Sequence, residues 1–102
     1  MSKNMTQAEF LKELKKITNL KWQTIYGAIR AKFNRRVYCP LTAVLFNKTN
    51  KYVTTNKLSY EQLEKINIGK KLADMVVKEA DRPGYSTNFS KKMLKILIGV
   101  PW

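Results

Sequence analysis

The side chains that most enzymes use for proton transfer and metal ligation are nearly missing from this sequence. It contains no histidine and a single cysteine, Cys39, which removes the commonest general base and the usual zinc-ligand sets. The carboxylates that come nearest to a cluster are Asp74, Glu79 and Asp81. Their spacing does not put all three on one helical face, and metal-assisted nuclease chemistry needs them convergent. They fit better as local partners of Lys70, Lys71, Lys78 and Arg82. Gly69-Lys70-Lys71 lacks the preceding glycine of a phosphate-binding loop. No catalytic residue, metal ligand or cofactor is assigned, and the expectation is a chain that is not an enzyme.

What the sequence does supply is cations. Twenty Lys and Arg face seven Asp and Glu, for a formal net charge of +13. From Leu14 through Tyr60 no acidic residue occurs, while Lys15, Lys16, Lys21, Arg30, Lys32, Arg35, Arg36, Lys48, Lys51 and Lys57 all fall inside. A solvated surface usually mixes signs to limit self-repulsion, so this stretch predicts a polyanionic partner: nucleic acid (RNA or DNA), or a host nucleoprotein complex, with an acidic groove on a protein as the other chemistry that fits. The candidate contact residues are Arg30, Lys32, Arg35 and Arg36, with Lys48, Lys51 and Lys57 as a second patch and Lys21 beside them. Arginine's planar fork suits phosphate, and exposed lysines add diffuse attraction. Tyr38 or Tyr52 offers a ring on which an unpaired base could stack.

The elements that must position these side chains read as helices. Thr6 and Glu9 form a capping box ahead of an inward stripe of Phe10, Leu11, Leu14 and Ile17, with Lys12, Lys15 and Lys16 facing away. Trp22, Ile25, Tyr26, Ile29 and Phe33 fit a 3.6-residue period and predict a second helix over about Lys21–Phe33. Its opposite face, Thr24, Gly27, Ala28 and Ala31, is small enough for close packing or for a phosphate backbone to approach. Asn34 terminates that helix, and a short extended segment follows at Val37–Cys39. Pro40 opens a third, almost wholly apolar helix carrying Leu41, Val44 and Leu45, the buried hub. Asn47–Lys57 reads as an exposed loop, extended briefly at Tyr52–Thr54. Ser59 and Gln62 cap a helix to about Ile66, and Asn67-Ile68-Gly69 breaks the chain. A further helix turns Ile68, Leu72, Met75, Val76 and Ala80 inward. Arg82-Pro83-Gly84 is a turn, Asn88 or Ser90 starts a last helix with Phe89, Met93, Leu94 and Leu97, and Gly99 and Pro101 end it. The expected fold is all-α: one basic helical domain spanning residues 1–102, of five to six short helices.

Leu20, Ile25 and Ile29 also occupy the apolar positions of a helix-turn-helix, the arrangement of a DNA-binding transcriptional regulator. Trp22 stands where a recognition helix exposes a polar side chain, so the match is partial. The ordered set Trp22, Gly27 with Ile29-Arg30, then Cys39-Pro40-Leu41-Thr42-Ala43-Val44, then Ala80-Asp81, resembles small phage and prophage proteins. That resemblance implies a compact helical phage protein, with no catalytic residues to carry over, of the kind that inhibits a host defence complex as anti-CRISPR proteins do.

The apolar run Met93–Val100 is interrupted by Lys95 and is too short for the roughly 20 residues of a membrane span. No secretory signal opens the chain, and one cysteine suits a reducing compartment. The expected location is therefore the bacterial host cytoplasm, with no membrane contact, as a monomer or small homo-oligomer.

Overall fold

The computed structural model describes residues 4–82 and 87–99. Among them the chain forms a first helix α1 (Gln7–Lys16), three strands β1 (Trp22–Ile25), β2 (Ala28–Phe33) and β3 (Arg36–Tyr38), and then α2 (Pro40–Thr49), a 3-10 turn at Thr55–Lys57, α3 (Tyr60–Glu64), α4 (Lys70–Asp81) and α5 (Asn88–Ile98). The fold is mixed α/β, with five helices and a three-stranded antiparallel sheet in the order β1-β2-β3. The all-α expectation fails at one place, the predicted second helix.

That segment is a meander because its turn chemistry prevails over its apolar period. Tyr26 and Gly27 both have positive φ, 52° and 83°. This is the requirement of the two-residue hairpin turn whose twist matches that of the flanking strands. Ile25 pairs with Ala28 across it, and Trp22 with Ala31. The second hairpin repeats the device. Asn34 and Arg35 have φ of 50° and 65° between the paired Phe33 and Arg36. Asn34 therefore takes the left-handed conformation expected of it, but it joins two strands instead of ending a helix. The stripe of small residues is dispersed: Gly27 lies in the turn, Ala31 is fully buried, and Thr24 is exposed. Helical periodicity and strand alternation both fit Trp22, Ile29 and Phe33; Gly27 separates them. The helix-turn-helix reading loses its recognition helix to the same hairpin.

Elsewhere the local signals hold. Thr6 and Glu9 exchange hydrogen bonds, the Glu9 N–H donating to Thr6 Oγ1 at 3.1 Å and the Thr6 N–H to Glu9 Oε1 at 3.0 Å. Ser59 and Gln62 do the same ahead of α3. Cys39, Pro40 and Thr42 make a third box at α2. The Cys39 N–H donates to Thr42 Oγ1 at 2.8 Å, and the Thr42 N–H to Cys39 Sγ at 3.5 Å. The Cys-Pro-Leu-Thr-Ala-Val block thus starts a helix, with Pro40 at a position where its missing N–H costs nothing. α2 runs to Thr49 and is ended by Asn50 at φ 59°, so Lys48 is helical and not in a loop. Thr87 caps α5, accepting from the Ser90 N–H at 3.0 Å, and Gly99 closes it at φ 74°. Pro83, Gly84 and Pro101 lie outside the described residues.

The larger core cluster gathers Phe10 and Leu14 from α1, Leu41 and Val44 from α2, Leu72 and Val76 from α4, and Phe89, Met93 and Leu94 from α5. Ile29 of β2 joins them, fully buried. A smaller cluster of Ala31, Tyr38 and Ala43 fastens the sheet to α2. The ion pair from Arg30 to Asp81, 2.7 Å, ties β2 to the end of α4.

A Cβ at Gly27 would meet nothing within 4 Å, so substitution there acts through the backbone alone. Gly27→Ala is expected to lower stability by about 1 kcal/mol, the cost of placing an L side chain in the left-handed region, while Gly27→Asn costs clearly less. Urea unfolding of the two variants checks this, and equal losses would place the cause in packing instead of φ.

A candidate nucleic-acid interface

α1 and α5 pack side by side, with the Phe10 and Phe89 rings 6.4 Å apart between centroids. Each helix carries two lysines three residues apart beside its apolar stripe: Lys12 and Lys15 on α1, Lys92 and Lys95 on α5. Residues three apart are neighbours on a helix surface. The chain leaving α1 then brings Lys21 and Trp22 alongside. These elements enclose a groove of about 940 Å³ lined by Lys12, Lys15, Lys21, Lys92 and Lys95. Its floor is apolar, made by Leu11, Leu14, Ile17, Leu20, Trp22, Ile96 and Leu97. All five lysines are exposed, and Trp22 is half-buried. Among the described residues, no carboxylate lines the groove.

Three of the acidic residues, Glu13, Asp74 and Asp81, are engaged elsewhere. Glu13, on another part of α1 and only 13 % exposed at its side chain, pairs with Lys16 at 3.3 Å and Lys48 at 3.2 Å. Asp74 accepts from Lys70 Nζ at 2.8 Å and from the Tyr60 hydroxyl at 2.5 Å. Hydrogen bonds from Lys70 first and Tyr60 second hold its carboxyl below the ordinary range. Asp81 takes Arg30. Among the described residues, none of the five groove lysines forms an ion pair. Like charges held around one apolar trough repel one another, and an anion threaded between them relieves that repulsion.

Of the cations singled out from the sequence, Lys21 reaches this groove and the others do not. Arg30 is committed to Asp81 and, through its other terminal nitrogen, to the Ile29 carbonyl at 2.8 Å, with only 17 % of its side chain exposed. Arg36 lies over the Tyr52 ring at 4.8 Å and near the Phe46 ring at 5.8 Å. It lines a separate recess of about 270 Å³ with Phe33, Asn34 and Tyr38. Lys48 is paired with Glu13. Lys32, Arg35, Lys51 and Lys57 are exposed but line none of these recesses. The two rings offered for stacking are also occupied. Tyr38 is 2 % exposed, and Tyr52 lies beneath Arg36 while its hydroxyl donates to the Val37 carbonyl at 3.2 Å.

The four lysines that the sequence reading left unassigned, Lys12, Lys15, Lys92 and Lys95, carried a legible signal in their spacing. What no spacing conveys is that the two helices bearing them, from opposite ends of the chain, lie side by side. Among the described residues no three of Cys, Asp and Glu converge as a metal-holding group, and no helix is long and apolar enough to cross a membrane. Compared with protein-family models, curated proteins and solved structures, the chain matches none.

The Glu13 clamp gives a pH signature. Burial raises its pKa, but the hydrogen bonds from Lys48 and Lys16, with their charges, outweigh burial and bring it below the ordinary 4.5. A carboxyl depressed in the folded state stabilises above its unfolded pKa and loses that contribution as pH falls through the folded value. The gap in thermal midpoint between the wild type and Glu13→Gln is therefore expected to be positive at pH 7 and to shrink as pH drops below about 4.5. A gap independent of pH would show that the two lysines contribute nothing through charge.

Proposed function

We propose that this chain is a non-enzymatic nucleic-acid-binding protein whose contact surface is the groove between α1 and α5. The observation that carries the reading is the composition of that groove: five exposed lysines, no carboxylate among the described residues, and an apolar floor that includes Trp22. Lysine ammonium groups serve as point charges for phosphates, and an aromatic or aliphatic floor accepts the apolar faces of sugars and bases. The surface suits sequence-tolerant binding, because its charged groups match the backbone that all nucleic acids share. A phage-derived inhibitor of the anti-CRISPR kind would use the same groove on the nucleic acid of a host nucleoprotein, in the bacterial cytoplasm. That extension rests on the resemblance carried by Trp22 through Ala80-Asp81, whose most specific block, Cys39 to Val44, is used by the fold to begin α2.

Counterion release makes the reading quantitative. Five lysine–phosphate contacts on a single strand predict that log affinity falls against log salt with a slope of about −3.5. Lys92→Ala with Lys95→Ala should flatten that slope to about −2.1, since each lost contact removes about 0.7. Lys51→Ala with Lys57→Ala removes the same net charge from the exposed segment after α2 and should leave the slope near its wild-type value. Oligonucleotide titrations at several salt concentrations, with unfolding midpoints to confirm intact folding, read this out. Equal flattening by both pairs would replace the groove with diffuse attraction to the whole surface.

A further inference from the structure

Tyr26 is out of place by every rule that governs its position. It is the first central residue of the β1–β2 turn, where both central residues need positive φ and asparagine, aspartate or glycine is favoured. A bulky aromatic at φ 52° is an outlier. It gains no packing in return: at 106 % relative exposure its ring is more open than in an extended peptide. The side chain is thus held clear of the body on a strained but well-defined turn, with both faces of the ring free. The hairpin that carries it, residues 22–33, holds Arg30 and Lys32 and no acidic residue. β1 also links it to the groove, for the strand begins at Trp22 on the groove floor and leads directly to the tip. At about 3.3 Å per residue, Tyr26 lies about 13 Å along the chain from Trp22.

We infer that Tyr26 is a base-stacking residue that selects single-stranded over duplex nucleic acid. The inference rests on the groove reading above and deepens it: the lysines hold the phosphates, and the projecting ring takes the face of an unpaired base as the strand leaves the groove along β1. A base inside a duplex has both faces covered by its neighbours, so the ring has nothing to stack on. A strand with open bases offers a face at every nucleotide, whatever its sequence.

The test uses Tyr26→Asn, which restores the favoured Asn-Gly turn and should leave the thermal midpoint unchanged or raise it. Its affinity for a single-stranded oligonucleotide at fixed salt is expected to fall about tenfold, the loss of one modest stack. The slope against salt should stay at the wild-type value, because stacking releases no counterions. Affinity for a duplex of the same length should not change, and Tyr26→Phe should bind the strand as the wild type does. Wild-type affinity of Tyr26→Asn for the strand overturns the stacking role and leaves the groove reading standing. Equal loss on strand and duplex overturns the selectivity. A wild type that binds neither oligonucleotide at low salt overturns the groove reading and the stacking role together.

Discussion

The constraint from which most of this architecture follows is that the first six residues of α2, Pro40 to Leu45, present no polar face. Pro40 through Leu45 are all buried, so this helix has to be enclosed. α1, α4 and β3 each pack against it. Thr42, the buried hydroxyl in this run, is satisfied by its own cap, accepting from the Cys39 N–H and donating to the Cys39 carbonyl at 3.1 Å. An unsatisfied hydroxyl there would cost about 1–3 kcal/mol. The Cys39–Thr42 box therefore both starts the helix and lets it be buried. Once α2 is enclosed, α5 covers the remaining apolar surface of α1, and the sheet is left to close the side where Tyr38 meets Ala43.

Enclosure of the hub also determines where charge can go. Lysines on amphipathic helices are forced to the margins of the buried stripes, with their methylene stems lying over apolar surface and their ammonium groups in water. Where a margin meets an acidic residue, as Glu13 meets Lys16 and Lys48, the charges cancel. Where two basic margins meet, as α1 meets α5, they cannot. The groove is thus a physical consequence of pairing two helices whose flanks carry the same sign, and it gathers five of the twenty cations around one trough. The arginines behave differently. Arg30 and Arg36 are used to fasten the sheet, one to Asp81 and the other over Tyr52 and Phe46, in keeping with a guanidinium's aptitude for planar, partly desolvated contacts.

The sequence reveals elements whose cause is local and conceals those whose cause is not. The capping boxes at Thr6 and Ser59, the proline at the start of α2, the glycine ending α5 and the inward stripe of α4 are all fixed within a few residues, and each is readable from spacing alone. The stretch Trp22–Phe33 is ambiguous because Trp22, Ile25, Ile29 and Phe33 satisfy a helical period while Thr24, Ile25 and Ile29 are β-branched and suit strands. Gly27 and Asn34 are the arbiters. Each sits between residues that pair across it, and together they punctuate the segment at an interval too short for a helix. The candidate site was concealed for a related reason. Its cations come from both ends of the chain, and a scan for charge runs favours clusters such as Arg35-Arg36 over lysines that become neighbours only through packing.

Trp22 stands where these lines of cause meet. It packs against both the larger core cluster and the sheet cluster, forms part of the groove floor, and opens the strand that ends at Tyr26. One side chain therefore couples the helical body to the hairpin. Truncating it would loosen fold and surface at once, so its loss would not separate the two roles. The lysines and Tyr26 are separable because they are exposed and bear little of the packing. This division, a buried hub that fixes the elements and an exposed rim free to carry charge and a ring, lets a chain of 102 residues keep the proposed binding surface distinct from its core.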